Sequence, residues 1–188
     1  MIILVISSVI SVGVLSFSIN QNTTQQEIHQ EGTKILGHVV LVLYGDDGTI
    51  KAYRQGDNLV VTNGDNSTAN RIFGTTLNTN SVQGGTFSYV AVGISGTAAN
   101  TVQTGLLSQV SNHRAGVVTN GAIHGQAVIT VNFPANRLTN STSIGLQEVG
   151  LFDSLSNSTT NLFARQTYST INVFPSDTLQ ITWTVTIT

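Results

Sequence analysis

Four histidines and nine carboxylates are the groups in this chain that could do acid–base or metal chemistry. They are His29, His38, His113 and His124, with acids concentrated in short polar turns. No pair of histidines has the spacing of a helical zinc motif. His38 lies inside the apolar run "ILGHVVLVLY", where a hydrogen-bonded sheet residue is the simpler reading. His113 and His124 flank the Gly-rich "RAGVVTNGAIHG" and could meet across a hairpin. Two histidines without a third ligand make a weak zinc site. "GDDG" at 45–48 and "NGDN" at 63–66 are loops whose oxygens could hold calcium. The competing reading is Asx turns bonding their own backbone, as for Asp46, Asp47, Asp57, Asp65, Asp153 and Asp177. "GISG" at 93–96 lacks the spacing of a nucleophile elbow and reads as a glycine turn after a strand. With no cysteine, disulfides and thiolate metal sites are excluded. Lys34 and Lys51 are the two lysines that an isopeptide crosslink to asparagine would need. No constellation for catalysis emerges, and the expectation is a non-enzymatic protein without a resident cofactor.

Composition points the same way. Only 9% of the 188 residues are charged, against about 25% in an average soluble domain. Polarity is carried mainly by Ser, Thr and Asn. The net charge is −2. The basic residues Lys34, Lys51, Arg54, Arg71, Arg114, Arg137 and Arg165 are scattered, so no stripe for a phosphate backbone forms and nucleic acid is not an expected partner. A hydrated but weakly charged surface suits an exported, assembled structure. Four N-glycosylation acceptor sequences, at Asn22, Asn66, Asn140 and Asn157, are consistent with export.

The elements that would carry such a surface fall into two parts. "MIILVISSVISVGVLSFSI" is uncharged and apolar over nineteen residues, through Ile2, Ile3, Leu4, Val5, Ile6, Val9, Ile10, Val12, Val14, Leu15, Phe17 and Ile19. As a helix it spans roughly 28 Å, one bilayer core. Three readings remain open: a secretory signal ending near Ser18, a membrane anchor, or an assembly helix whose small Ser and Gly residues permit close packing. Residues 1–30 are therefore expected to form a hydrophobic helix with a polar Gln-rich tether. Residues 31–188 are expected to form an antiparallel β-sandwich of about eight strands.

The strand signals are specific. "ILGHVVLVLY", "GDDG" and "TIKAYR" read as a hairpin. "NLVVT", "TFSYVAVGI", "GQAVITVNF", "SIGLQEVGLF" and "LFARQTY" read as further strands. "NGDNSTANRIFGTTL" is expected to hold one short helix capped by Asn66 or Ser67. "ISGTAANTVQTGLLSQVSNHRAG" reads as a long polar loop. In "DTLQITWTVTIT", Leu179, Ile181, Trp183, Val185 and Ile187 alternate strictly with Gln180, Thr182, Thr184, Thr186 and Thr188. That pattern puts Trp183 in the core and threonines on the outer face.

Several of these stretches together resemble known proteins. "LVLYGDDGTIKAYRQGDNLVVTNGDN" resembles the N-terminal part of proteins of ammonia-oxidising archaea. "FSYVAVGISGTAANTVQTGL", "EVGLFD", "LFAR" and "FPSDTLQITWTVTIT", in that order, resemble a β-rich family of tailed-phage and archaeal structural proteins. The resemblance covers residues 39–188 and brings no catalytic residue with it. The apolar segment ahead of a Ser/Thr/Asn-rich β-domain resembles the archaeal type IV pilins. These resemblances imply a structural subunit that polymerises with identical copies, after membrane insertion, into an extracellular pilus-like filament with the helix in its core and the β-domain outside. A virion capsid, decoration or tail protein, and a membrane-tethered surface binding module, are the alternatives. Polymerisation by strand exchange, with residues 30–43 or the C-terminal strand as donor, is a variant of the first.

Overall fold

The computed structural model describes residues 33–77, 85–156 and 161–188. The expected N-terminal helix and tether therefore lie outside the described residues. So do Asn22, Asn157 and His29.

The chain is mainly β, with ten strands and one helix among the described residues. The strands are β1 (Ile35–Tyr44), β2 (Ile50–Asp57), β3 (Leu59–Val60), β4 (Tyr89–Gly93), β5 (Arg114–Ala115), β6 (Val117–Asn120), β7 (Gln126–Phe133), β8 (Ile144–Phe152), β9 (Leu162–Val173) and β10 (Thr178–Ile187); α1 (Thr62–Phe73) follows β3. They form two five-stranded antiparallel sheets. Sheet A has the order β2-β1-β10-β7-β6 and sheet B the order β3-β9-β8-β4-β5. The excess over the expected eight strands is the two-residue β5 and the four-residue β6.

Alternation built the centre of sheet A, strands β1, β10 and β7, as expected, although Ile187 at the end of β10 is exposed. On β10, Leu179, Ile181 and Trp183 are fully buried, whereas Gln180, Thr182 and Thr184 are only partly covered. Val39, Leu41 and Leu43 of β1 and Ile129, Val131 and Phe133 of β7 meet the same core. Val39 lies opposite Trp183, which lies opposite Ile129. The β1–β2 hairpin closes on Gly45–Gly48. Gly48 takes the left-handed φ of 77° that this turn requires. Asp47 accepts from the Thr49 amide at 2.9 Å and from its hydroxyl at 2.7 Å.

Sheet B supplies the other half of that core through Val90, Val92, Leu146, Val149, Leu151, Phe163, Ala164, Ile171 and Val173. Its opposite face is covered too. Val61, Ala91, Leu106, Phe152 and Leu162 form a second apolar cluster there. Strands buried on both faces read as continuous apolar runs rather than alternating ones. That is why "YVAVG" and "EVGLF" carry no clean period.

The helix departs from its expected start. It begins at Thr62, with Val61 as N-cap and no side-chain cap. Asn66 and Ser67 are interior positions. The reason is packing: Asn63, Gly64 and Ser67 form its buried face. A Cβ on Gly64 would come within 2.4 Å of the Phe163 carbonyl oxygen, so the helix can approach β9 only with glycine there. Asn63 Nδ2 donates to the Leu162 carbonyl at 2.9 Å. The C-terminus follows the usual rule, with Gly74 at φ 65° bonding back to Asn70.

Candidate functional site

The feature that the fold builds with most polar investment is the loop between β4 and β5. Residues 94–112 contain no charged side chain. They are held on sheet B by a charged pair that is fully buried, Glu148 of β8 and Arg165 of β9.

Their placement follows from a bulge. The register of β8 against β9 shifts between Leu146 and Glu148. Beyond it Val149 and Leu151 enter the shared core, so Glu148, Gly150 and Phe152 turn to the opposite face. Arg165 lies opposite Gly150, on the same face. Its Nε donates to Glu148 Oε2 at 2.9 Å, and its Nη2 stands 2.8 Å from the same oxygen.

Both partners then reach the loop. Glu148 Oε1 accepts from the amides of Ser108 at 2.7 Å and Ser95 at 3.3 Å; Oε2 accepts from the Leu107 amide at 3.1 Å. Arg165 Nη1 donates to the Thr97 carbonyl at 2.9 Å and to Gln103 Oε1 at 3.2 Å. A lone buried charge would be costly; here each charge faces the other and also bonds the backbone of the loop it organises. Gly93 makes room for it: a Cβ there would fall 2.4 Å from Glu148 Oε1. Leu106 anchors the loop in the second apolar cluster. The outward side of the loop shows Ile94, Val102, Leu107 and Val110. Tyr168 is half-buried beside Glu148, donating to its carbonyl oxygen at 3.3 Å; desolvation of its hydroxyl first, and the nearby carboxylate second, push that hydroxyl far above the ordinary phenol range.

A second buried carboxylate sits nearby in the chain. Asp153 accepts from Asn161 Nδ2, and from Arg71 Nη2 of α1 at 3.3 Å. Arg71 also lies over the Phe87 ring at 4.2 Å. Burial pulls the Arg71 guanidinium below its ordinary value, and Asp153 partly restores it. His113 stacks on Phe152 at 4.0 Å, with Nδ1 2.9 Å from the Ser154 carbonyl oxygen. Burial holds its imidazole below the ordinary value, against the smaller opposing effects of Ser154 and Asp153. Its neutral form is the folded form. Its contribution to stability is complete above pH 6.5, the ordinary imidazole value, and is lost as pH falls below that value, where the unfolded chain takes up the proton first. Thermal unfolding should show a midpoint that drops from pH 7 to pH 5, and His113→Gln should flatten that drop; an equal drop in both proteins would contradict the assignment.

A third carboxylate, Asp177, is buried between β9 and β10. It takes Lys51 Nζ at 2.8 Å on Oδ1 and the Phe174 amide at 2.9 Å on Oδ2. Asp177 is thus the turn residue that the sequence suggests and a buried brace through Lys51 as well, whereas Asp153 is an internal brace to α1. Lys51, one of two candidates for an isopeptide bond, is paired with an aspartate rather than an asparagine.

The remaining sequence candidates are dispersed. His38 is a partly exposed sheet residue 2.9 Å from Asp57 Oδ1, as expected of a satisfied side chain. His124 is exposed in the β6–β7 turn, and His113 is buried against Phe152. Of the calcium candidates, Asp47 is engaged with Thr49, which holds its carboxyl below the ordinary range, and Asp65 is in the first turn of α1. Among the described residues no group of three or more His, Asp or Glu side chains could hold a metal ion. Asn66 is a half-buried helix residue and Asn140 an exposed loop residue. The assembly residues Ile2 to Ile19 lie outside the described residues. Among the described residues no helix is long and apolar enough to cross a membrane.

Glu148 and Arg165 were not singled out in the sequence. The signal was present as a lone acid in "LQEVGLF" and a lone base in "LFAR". Comparison with models of protein families, with curated proteins and with solved structures found no match. The fold itself defines the class: a mainly β chain of two antiparallel sheets.

Proposed function

We propose that this chain is a non-enzymatic structural subunit of an extracellular, pilus-like filament. In this reading the apolar segments of many copies, residues 1–30, pack together as helices. The β-unit of residues 33–188, a two-sheet sandwich, carries the solvent-facing, glycosylatable surface.

One observation carries the reading. The buried carboxylates Glu148, Asp153 and Asp177 are each engaged by Arg, Lys or backbone amides of the same chain. They brace loops rather than converge on an open cleft. The surface they support is rich in hydroxyl and amide groups, interleaved with exposed Ile94, Val102, Leu107 and Val110. Such a surface suits packing against like surfaces better than recognition of a charged ligand.

The same braces favour a second structural reading, a virion coat or tail subunit. Three of the four motifs behind the resemblance to tailed-phage and archaeal structural proteins converge here. "GISGTAANTVQTGL" is the loop, "EVGLFD" supplies Glu148 and Asp153, and "LFAR" supplies Arg165. In the strand-exchange variant, β1 or β10 would be the donor. Both lie inside sheet A of their own chain, between paired neighbours, so exchange would first have to open that sheet.

Electron microscopy of the full chain, prepared from the surface of expressing cells, tests the reading. Filaments of uniform width are expected. Closed shells would favour the virion subunit, and dispersed single subunits would overturn both.

A further inference from the structure

We infer that β6 is a self-complementary edge through which two copies of this chain join their A sheets about a twofold axis at Thr119. This goes beyond the filament reading and does not use the apolar segment.

The two sheets have four edges: β2, β6, β3 and β5. An uncovered edge strand presents unpaired backbone groups to any other strand, and proteins usually blunt it. Three of the four are blunted. β3 and β5 are two residues long. β2 carries Lys51, Arg54 and Asp57, and Arg54 ties it to β9 by donating to the carbonyls of Ser169 at 3.1 Å and Thr170 at 3.2 Å. β6 has none of these devices. Its sequence is Val-Val-Thr-Asn, and all four residues are exposed. Val117 is 70% and Val118 52% exposed, and Ile123 in the following turn is 59% exposed.

The hydrogen-bond phase of β6 is fixed by its neighbours. Gly121 donates to the Gln126 carbonyl at 2.9 Å, in the register that pairs Val117 with Thr130. In an antiparallel ladder, inward and outward bonding alternate residue by residue. Thr119 and Val117 therefore bond toward β7. Val118 and Asn120 direct their N–H and C=O groups away from it. Gly116, the next outward position, already donates to the Ser88 carbonyl at 2.7 Å, which confirms the phase. Among the described residues the open groups are thus two donors and two acceptors, on residues one apart from Thr119 on either side.

That set complements itself. Turned about an axis through Thr119, Val118 of one copy meets Asn120 of the other, and four N–H···O=C bonds form. No charged side chain lies on β6, so like charges do not oppose the pairing. Val117 and Thr119 share a face with Thr130 and Val128. The joint would therefore continue the hydroxyl-bearing outer face of sheet A across both copies.

The absence of cysteine gives a clean test. In the inferred pairing, the two Thr119 residues form a non-hydrogen-bonded pair, with Cα atoms about 4.5 Å apart, within disulfide reach. The two Val117 residues are four positions out of register with each other, about 13 Å apart along the strand. Full-length Thr119→Cys and Val117→Cys proteins, in non-denaturing detergent, would be oxidised mildly and run on a non-reducing gel. At least fivefold more crosslinked dimer is expected for Thr119→Cys. Equal crosslinking, none in either, or more from Val117→Cys would overturn the inference. Microscopy of unsubstituted chain separates the two claims. Filaments without the Thr119 crosslink remove only this joint; the crosslink without filaments removes only the filament.

Discussion

Glu148→Ala should destabilise residues 33–188 by about 3–5 kcal/mol, the cost of leaving a buried charge without its partner. The substitution leaves Arg165 fully buried opposite an empty site. It also removes the acceptor of the Ser95, Leu107 and Ser108 amides. Urea unfolding measures the first effect, and hydrogen exchange at Leu107 and Ser108 the second. Replacing both charges, in Glu148→Met with Arg165→Met, should recover much of the lost stability, because no unpaired ion remains. It should not restore protection of the two amides, which still lack an acceptor. A single substitution within about 0.5 kcal/mol of the parent, the range of ordinary surface changes, would mean that the pair does not hold the loop.

The second large effect concerns assembly. Ile3→Asp is expected to abolish filaments while leaving the β-unit folded. Each large apolar side chain buried in a helix contact contributes about 1.5–3 kcal/mol. A carboxylate placed there loses that and adds a desolvation cost of several kcal/mol. In a polymer the loss recurs at every subunit, so the effect on assembly is all-or-none. The core of residues 33–188 is built from side chains between Val39 and Trp183, so its circular dichroism and unfolding midpoint should not change. Filaments of normal length and number from Ile3→Asp protein would remove the apolar segment from the account.

What the sequence made legible depended on whether an element is buried on one face or two. β10 and β7, solvated on one side, were readable residue by residue, down to Trp183 in the core. β8 was readable as a strand but not in phase. Its bulge at Gln147 inverts the alternation, and Leu106 and Phe152 cover the face that alternation would leave wet. The start of α1 was misplaced for a related reason. A cap rule looks for Ser or Asn at the helix edge, yet here Asn63 and Ser67 are turned inward against β9. Asp153 and Asp177 were read only as turn residues; Asp177 does bond the Phe174 amide of its own turn, but the long-range ion pair of each went unread. Their partners, Arg71 and Lys51, are 82 and 126 residues away in the chain, a distance no local pattern spans. The β6 edge was visible only as part of a Gly-rich hairpin. Its outward phase depends on the Gly121 and Gly116 bonds, which the fold alone provides.

The most direct test of the central claim is the mass of the subunit taken from its native assembly. The account predicts a mature chain that retains the apolar segment, with Ile2 to Ile19 recovered as an N-terminal peptide. A mature chain beginning near Ile19 would contradict it, because the assembling segment would then have been removed before assembly.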